Sequence, residues 1–218
     1  MRASDLRAIE LAGGRDAAVS IVPAAAAPDA NHLRAGRNGR RWFQSLGARD
    51  VTVSPLVDRQ SADDPDVATG LRRSRLIYLL GGFPEYLAVV LKASAAWRAI
   101  MAALEEGAVL AGSSAGAMVM GDFFFNPVSQ KVVKGLGLLH ATSIVPHFNS
   151  FGRTWVDRLQ KELPSVSLIG IDEETGMIND GPAGTWTVYG GGAVAVCRGL
   201  QPERFGAGER LDMDGSPL

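Results

Sequence analysis

Short apolar runs and longer amphipathic stretches alternate along the first 120 residues. Val19–Pro23 (VSIVP), Val51–Val53, Leu76–Leu80 (LIYLL) and Ala108–Ala111 (AVLA) are too short for helices and bounded by polar residues or glycine. Such runs predict buried strands. Between them, residues 3–12 read as a helix closed by Gly13-Gly14. Asn31–Leu46 spreads its apolar positions among many arginines and predicts a surface helix. Pro65–Arg73 is a short helix with an acidic start, and Tyr86–Leu91 and Ala95–Glu106 are two more. This alternation predicts βαβ units, a parallel sheet and right-handed crossovers.

The pattern changes after Met120. Phe123–Phe125 and Thr142–Val145 are strand-like, and Gly152–Glu162 reads as a helix opening after Asn149-Ser150. Leu168–Ile171, Gly176–Ile178, Thr185–Val188 and Ala193–Val196 are short strands separated by Gly-rich turns, a pattern of antiparallel hairpins. With no internal repeat and no linker, residues 1–218 read as a single domain, which suits one α/β domain of this length.

Composition narrows the classes. Hydrophobic residues make up 46% and charged residues 21%, which excludes disorder and coiled coil. The net charge of -1 leaves no electrostatic footprint for nucleic acid or an anionic membrane. No apolar stretch reaches the length of a membrane span, and Met1-Arg2-Ala3-Ser4-Asp5 has no apolar signal-like core, so the expected compartment is the cytoplasm. Cys197 is the single cysteine, which excludes an internal disulfide and a cysteine-based zinc site.

The 26 glycines cluster at Gly13-Gly14, Gly81-Gly82, Gly112 with Gly116, and Gly190-Gly191-Gly192. The third cluster carries the chemistry. Val109-Leu110-Ala111 runs into Gly112-Ser113-Ser114-Ala115-Gly116, and a small-residue helix start follows through Ala115–Met120. An apolar strand, G-x-S-x-G and a helix make the context of a nucleophile elbow, whose strained tip tolerates only small neighbours. Register selects Ser114 over Ser113. Amides at the helix start would face a developing oxyanion.

A serine hydroxyl needs a base. The chain offers His32, His140 and His147. His32 lies in a polar helix and His140 in a loop. His147 follows the strand Ser143-Ile144-Val145-Pro146, a placement that suits a catalytic base. The strand Leu168–Ile171 then runs into Asp172-Glu173-Glu174, any of which could orient the imidazole; spacing alone does not choose among the three.

GSSAGAM after an apolar strand, then VPHFN, GIDEETG and W-x-V-x-G-G-G resemble the dipeptidase E–cyanophycinase family of serine peptidases, over about residues 1–211. The resemblance implies an α/β fold of the class I glutamine amidotransferase type, a flavodoxin-like three-layer sandwich. Its central sheet would be mostly parallel, with extra hairpins in the C-terminal half. It implies Ser114 as nucleophile, His147 as general base and Glu173 as the acid, with oxyanion donors at the backbone amides of Gly82 and Ala115. The dipeptidase E branch takes its acid from an Asp between Ser and His, for which Asp122 is the nearest candidate. The implied reaction is acyl transfer to Ser114 followed by hydrolysis, without metal or organic cofactor. The implied substrate is a short peptide or isopeptide next to an aspartyl residue.

Two departures qualify the resemblance. Many relatives carry Asp or Asn after the Gly-Gly turn, where this chain has Phe83-Pro84. Relatives also begin with an apolar strand and a Gly-rich turn ahead of the segment that here reads MRASDLRAIELAGG, so the expectation is either an absent strand beside Val19–Pro23 or a native start upstream of Met1. Phe83, Asn149 and Arg153 are the candidates for substrate contact. An α/β-hydrolase esterase shares G-x-S-x-G but places its histidine last, and no histidine follows His147. The remaining alternative is a non-catalytic binding module of the same fold. The expected partner is a small peptide, with a homodimer compatible with an open sheet edge.

Overall fold

The computed structural model describes residues 1–182, 185–198 and 202–212. These fall into two compact units, Asp5–Ala117 and the described residues from Met118 onward together with Met1–Ser4.

The first unit is built on a parallel sheet. Strands β1 (Val19–Val22), β2 (Val51–Val53), β3 (Leu76–Leu79) and β4 (Val109–Gly112) take the order β2-β1-β3-β4. β1 and β3 are buried throughout, as befits the inner strands of a covered parallel sheet. β1 pairs with β2 on one side and β3 on the other. The helices are α1 (Arg2–Leu11), α2 (His32–Ser45), α3 (Arg59–Ala62), α4 (Pro65–Arg72), α5 (Pro84–Leu91) and α6 (Ala95–Glu105), with the single turn α7 (Ala115–Met118) after β4. The chain starts these helices by ordinary means. Asp64 and Ser94 cap α4 and α6 with their side chains, and Pro65 and Pro84 occupy first-turn positions that need no N–H. α3 was not foreseen, although Asp58 and Ser61 form a reciprocal capping box there.

In the second unit, β5 (Phe123–Asn126) and β6 (Lys131–Lys134) form a hairpin. β7 (Thr142–Pro146), β8 (Ser167–Ile171), β11 (Val194–Cys197) and β12 (Glu203–Phe205) form a mixed sheet in the order β12-β11-β8-β7. β9 (Thr175–Ile178), β10 (Trp186–Gly190) and β13 (Arg210–Leu211) form a third sheet. The expected antiparallel character holds with one exception, the parallel pair β7–β8. That pair matters because it brings the residues after β7 and after β8 to the same end of the sheet. Phe125, Val145, Phe148, Leu159, Leu168 and Cys197 pack into one core.

The helix expected at Gly152–Glu162 is instead a 3-10 turn (Gly152–Trp155) followed by α8 (Val156–Glu162). No side chain caps the 3-10 turn. The Asn149 oxygen that would suit a cap is spent elsewhere, on the Glu173 amide. Among the described residues no single helix is long and apolar enough to cross a membrane.

Candidate active site

Ser114 sits between β4 and α7 with φ +49, a left-handed conformation that costs a non-glycine residue energy. The neighbouring glycines show why the turn can be so tight. A Cβ on Gly116 would overlap the Leu79 carbonyl, and one on Gly112 would run into the Gly116 backbone. Both close approaches exist only because those side chains are absent. The Ser113 amide continues the β3–β4 pairing to the Leu79 oxygen at 3.0 Å, and the Gly116 amide closes the turn on the Ser113 oxygen at 2.9 Å. The elbow is thus pinned on both sides of Ser114.

The Gly81-Gly82 turn lies against this serine. A Cβ on Gly81 would sit 3.1 Å from the Ser114 Cβ and 3.7 Å from its Oγ. Gly82 has φ +142, and a side chain there would strike the Ala25 carbonyl. The flanking amides are engaged, Leu80 on the Val22 oxygen at 3.0 Å and Phe83 on the Ala25 oxygen at 2.8 Å. Ala115 begins α7, where the first amides have no partner in their own helix. α7 is one turn rather than the longer helix expected, so a helix dipole adds little here.

On α1, Asp5 is a buried carboxylate. The Trp42 indole N–H donates to Asp5 Oδ2 at 2.8 Å. Burial pushes the Asp5 carboxyl above its ordinary value, offset in part by the Trp42 hydrogen bond. Burial, and next the Asp5 charge, push the Tyr78 phenol up as well.

In the second unit His147 leaves β7 with φ +54, and its Nδ1 lies 3.1 Å from Glu173 Oε1. A carboxylate only accepts, so this contact places the proton on Nδ1 and leaves Nε2 as the basic nitrogen. Phe151 stacks on the imidazole, with ring centroids 4.7 Å apart and planes 26° from parallel. Of the three acids after β8, Asp172 turns inward to Arg204 at 2.6 Å and to the Ala193 amide at 3.0 Å. Glu174 takes a left-handed turn with φ +57. Glu173 is the acid on His147. Asp122 points to the other histidine loop: Oδ2 accepts the Ala141 amide at 2.6 Å, and Oδ1 lies 3.8 Å from His140 Nδ1.

The three substrate candidates differ. Phe83 is half-buried and precedes α5, Arg153 is exposed on the 3-10 turn, and the Asn149 oxygen accepts the Glu173 amide at 2.9 Å. Sequence reasoning missed Phe151 and Arg204. Phe151 is four residues past His147, a spacing that brings rings together once a tight turn is recognised, whereas nothing local links Arg204 to Asp172. Among the described residues no three His, Cys, Asp or Glu side chains cluster so as to hold a metal ion.

The family model for peptidase family S51 matches residues 5–183. The chain belongs to peptidase family S51. The serine-type hydrolase class expected from the elbow is the class of this S51 chain's family. Cyanophycinase of Synechococcus elongatus is 28% identical over 202 residues, covering 85% of the S51 chain and 60% of that protein. Cyanophycinase of Geminocystis herdmanii is 29% identical over 177 residues, covering 75% and 63%. The S51 chain thus spans about 60% of the length of the curated relatives it matches. A peptidase from an acI-B1 Actinobacterium, known from its crystal structure, is 30% identical at a TM-score of 0.82, covering 95% of this chain and 89% of that one.

Proposed function

We propose that this protein is a serine peptidase that hydrolyses small peptides or isopeptides through an acyl-enzyme on Ser114. His147 acts as base, and Glu173 fixes its tautomer. The observation that carries the reading is the left-handed Ser114, wedged between the Gly112–Gly116 contact and the Gly81-Gly82 turn. A merely structural strand-to-helix turn has no need of this strain.

In this mechanism the Ser114 hydroxyl gives its proton to His147 Nε2 as its oxygen attacks the scissile carbonyl. The oxyanion that forms is stabilised by the Gly82 and Ala115 amides. His147 passes the proton to the leaving amine, and the ester on Ser114 is hydrolysed by a water activated by the same imidazole. Glu173 stays ionised throughout and offsets the imidazolium charge.

The curated relatives carry the name cyanophycinase, in keeping with the resemblance noted from the sequence motifs, which implies an amide next to an aspartyl residue as the bond cleaved. Phe83 follows the Gly81-Gly82 turn where the resemblance places an Asp or Asn in many relatives, so apolar as well as polar partners belong in the test. A panel of α-linked and β-linked aspartyl dipeptides, each with polar and apolar partners, tests the assignment. The expected result is release of amino acids from at least one β- or α-aspartyl member, abolished in Ser114→Ala. Turnover that survives in Ser114→Ala would refute it.

A further inference from the structure

We propose that Asn149 is a positioning residue, whose side-chain oxygen holds the backbone of Glu173 so that the carboxylate stays on His147. The proposal deepens the reading of His147 and Glu173 as base and acid, and rests on it.

Glu173 poses a mechanical problem. Its side chain is 53% exposed and His147's is 30% exposed, so water competes for their contact. An exposed carboxylate has little reason to keep one rotamer for a single hydrogen bond. The order has to come from the backbone below it. Three anchors surround that backbone. Asp172, directly before it, is buried on the Ala193 amide and Arg204. The Glu173 carbonyl accepts the Thr175 hydroxyl at 3.2 Å, and that hydroxyl in turn accepts the Gly192 amide at 2.9 Å. Both anchors tie Glu173 to its own loop or to the strands beyond it.

Only the third anchor comes from the segment that carries the histidine. The Glu173 amide donates to Asn149 Oδ1 at 2.9 Å. Asn149 is the second residue after His147, and the Phe148 amide between them donates to the Ile171 carbonyl at 3.0 Å. Two hydrogen bonds, at Phe148 and Asn149, therefore clamp the 147–149 turn to the 171–173 turn. Phe148 extends the β7–β8 pairing by one step, which any residue's amide could do. The Asn149 bond is made by a side chain and reaches a residue 24 positions on. It is not the local turn closure for which asparagine is usually chosen.

The test uses the full chain labelled with ¹⁵N-histidine. The Nδ1–H resonance of His147 is assigned by its loss in His147→Gln. Asn149→Ala is expected to broaden or abolish that resonance, with Tm close to wild type. Its kcat should fall about tenfold at nearly unchanged KM, and Asn149→Asp, which keeps an accepting oxygen, should restore the resonance. A wild-type resonance and kcat in Asn149→Ala overturn the proposal. So does a rise in KM alone, which would make Asn149 a substrate contact. Failure of the underlying reading looks different: turnover that persists in Ser114→Ala, with the resonance still dependent on Asn149.

Discussion

At the scale of single residues the question is which acid orients His147, the proposed base, and how Ser114, the proposed nucleophile, is presented. Glu173 holds the imidazole at 3.1 Å, whereas Asp122 is engaged with the Ala141 amide and the His140 loop. Glu173→Gln is therefore expected to lower kcat by roughly two to four orders of magnitude, while Asp122→Asn keeps turnover within a few-fold. Steady-state kinetics on one aspartyl peptide decides between them; the reverse ranking would move the acid to Asp122. The elbow has its own sensitive atom. Gly116→Ala places a methyl on the Leu79 carbonyl, so β3 and the elbow must separate. The expected cost is about 1–3 kcal/mol of stability, and kcat should fall far more than in a surface Gly→Ala change such as Gly70→Ala, where an added Cβ meets open space.

At the scale of elements, the end of the β7–β8 pair brings His147 and Glu173 together. Asp172 anchors the β8 end from a buried position, where it is 5% exposed. Arg204→Ala would leave that carboxylate with the Ala193 amide as its remaining strong donor. The expected destabilisation is about 1–3 kcal/mol, read as a drop in Tm of roughly 2–4 °C per kcal/mol. An unchanged Tm would mean that the pair is solvated. Much of this architecture could be read from the chain. The four parallel strands and α1, α2, α4, α5 and α6 announce themselves because each apolar run is bounded by glycine, proline or a cap. The elbow was legible for the same reason, since its chemistry needs small residues at fixed spacing. β6, β12 and β13 were not legible: they are two to four residues long, mostly exposed, and exist through pairing with distant strands. The helix opening after Asn149 was misread because a cap-forming side chain was used in a tertiary contact. The Asp172–Arg204 pair spans 32 positions, and no local pattern carries that information.

At the scale of the whole molecule, stability depends on a buried carboxyl. Burial raises Asp5 above its usual 3.8, so the folded chain binds more protons than the unfolded one just above that pH. The favourable contribution is complete below about 3.8 and is lost as pH rises through the raised native value. Asp5→Asn cannot ionise. Its Tm relative to wild type should thus become more favourable as pH is raised from about 4 to 7, and a difference independent of pH would count against the buried carboxyl. Membership of family S51 and the likeness to a peptidase crystal structure over 95% of this chain make the elbow the centre of the account. The most direct test is labelling with a fluorophosphonate probe, followed by peptide mass mapping. The account predicts one adduct per chain on Ser114, absent from Ser114→Ala and slowed in His147→Gln. Stoichiometric labelling that persists unchanged in Ser114→Ala would contradict it.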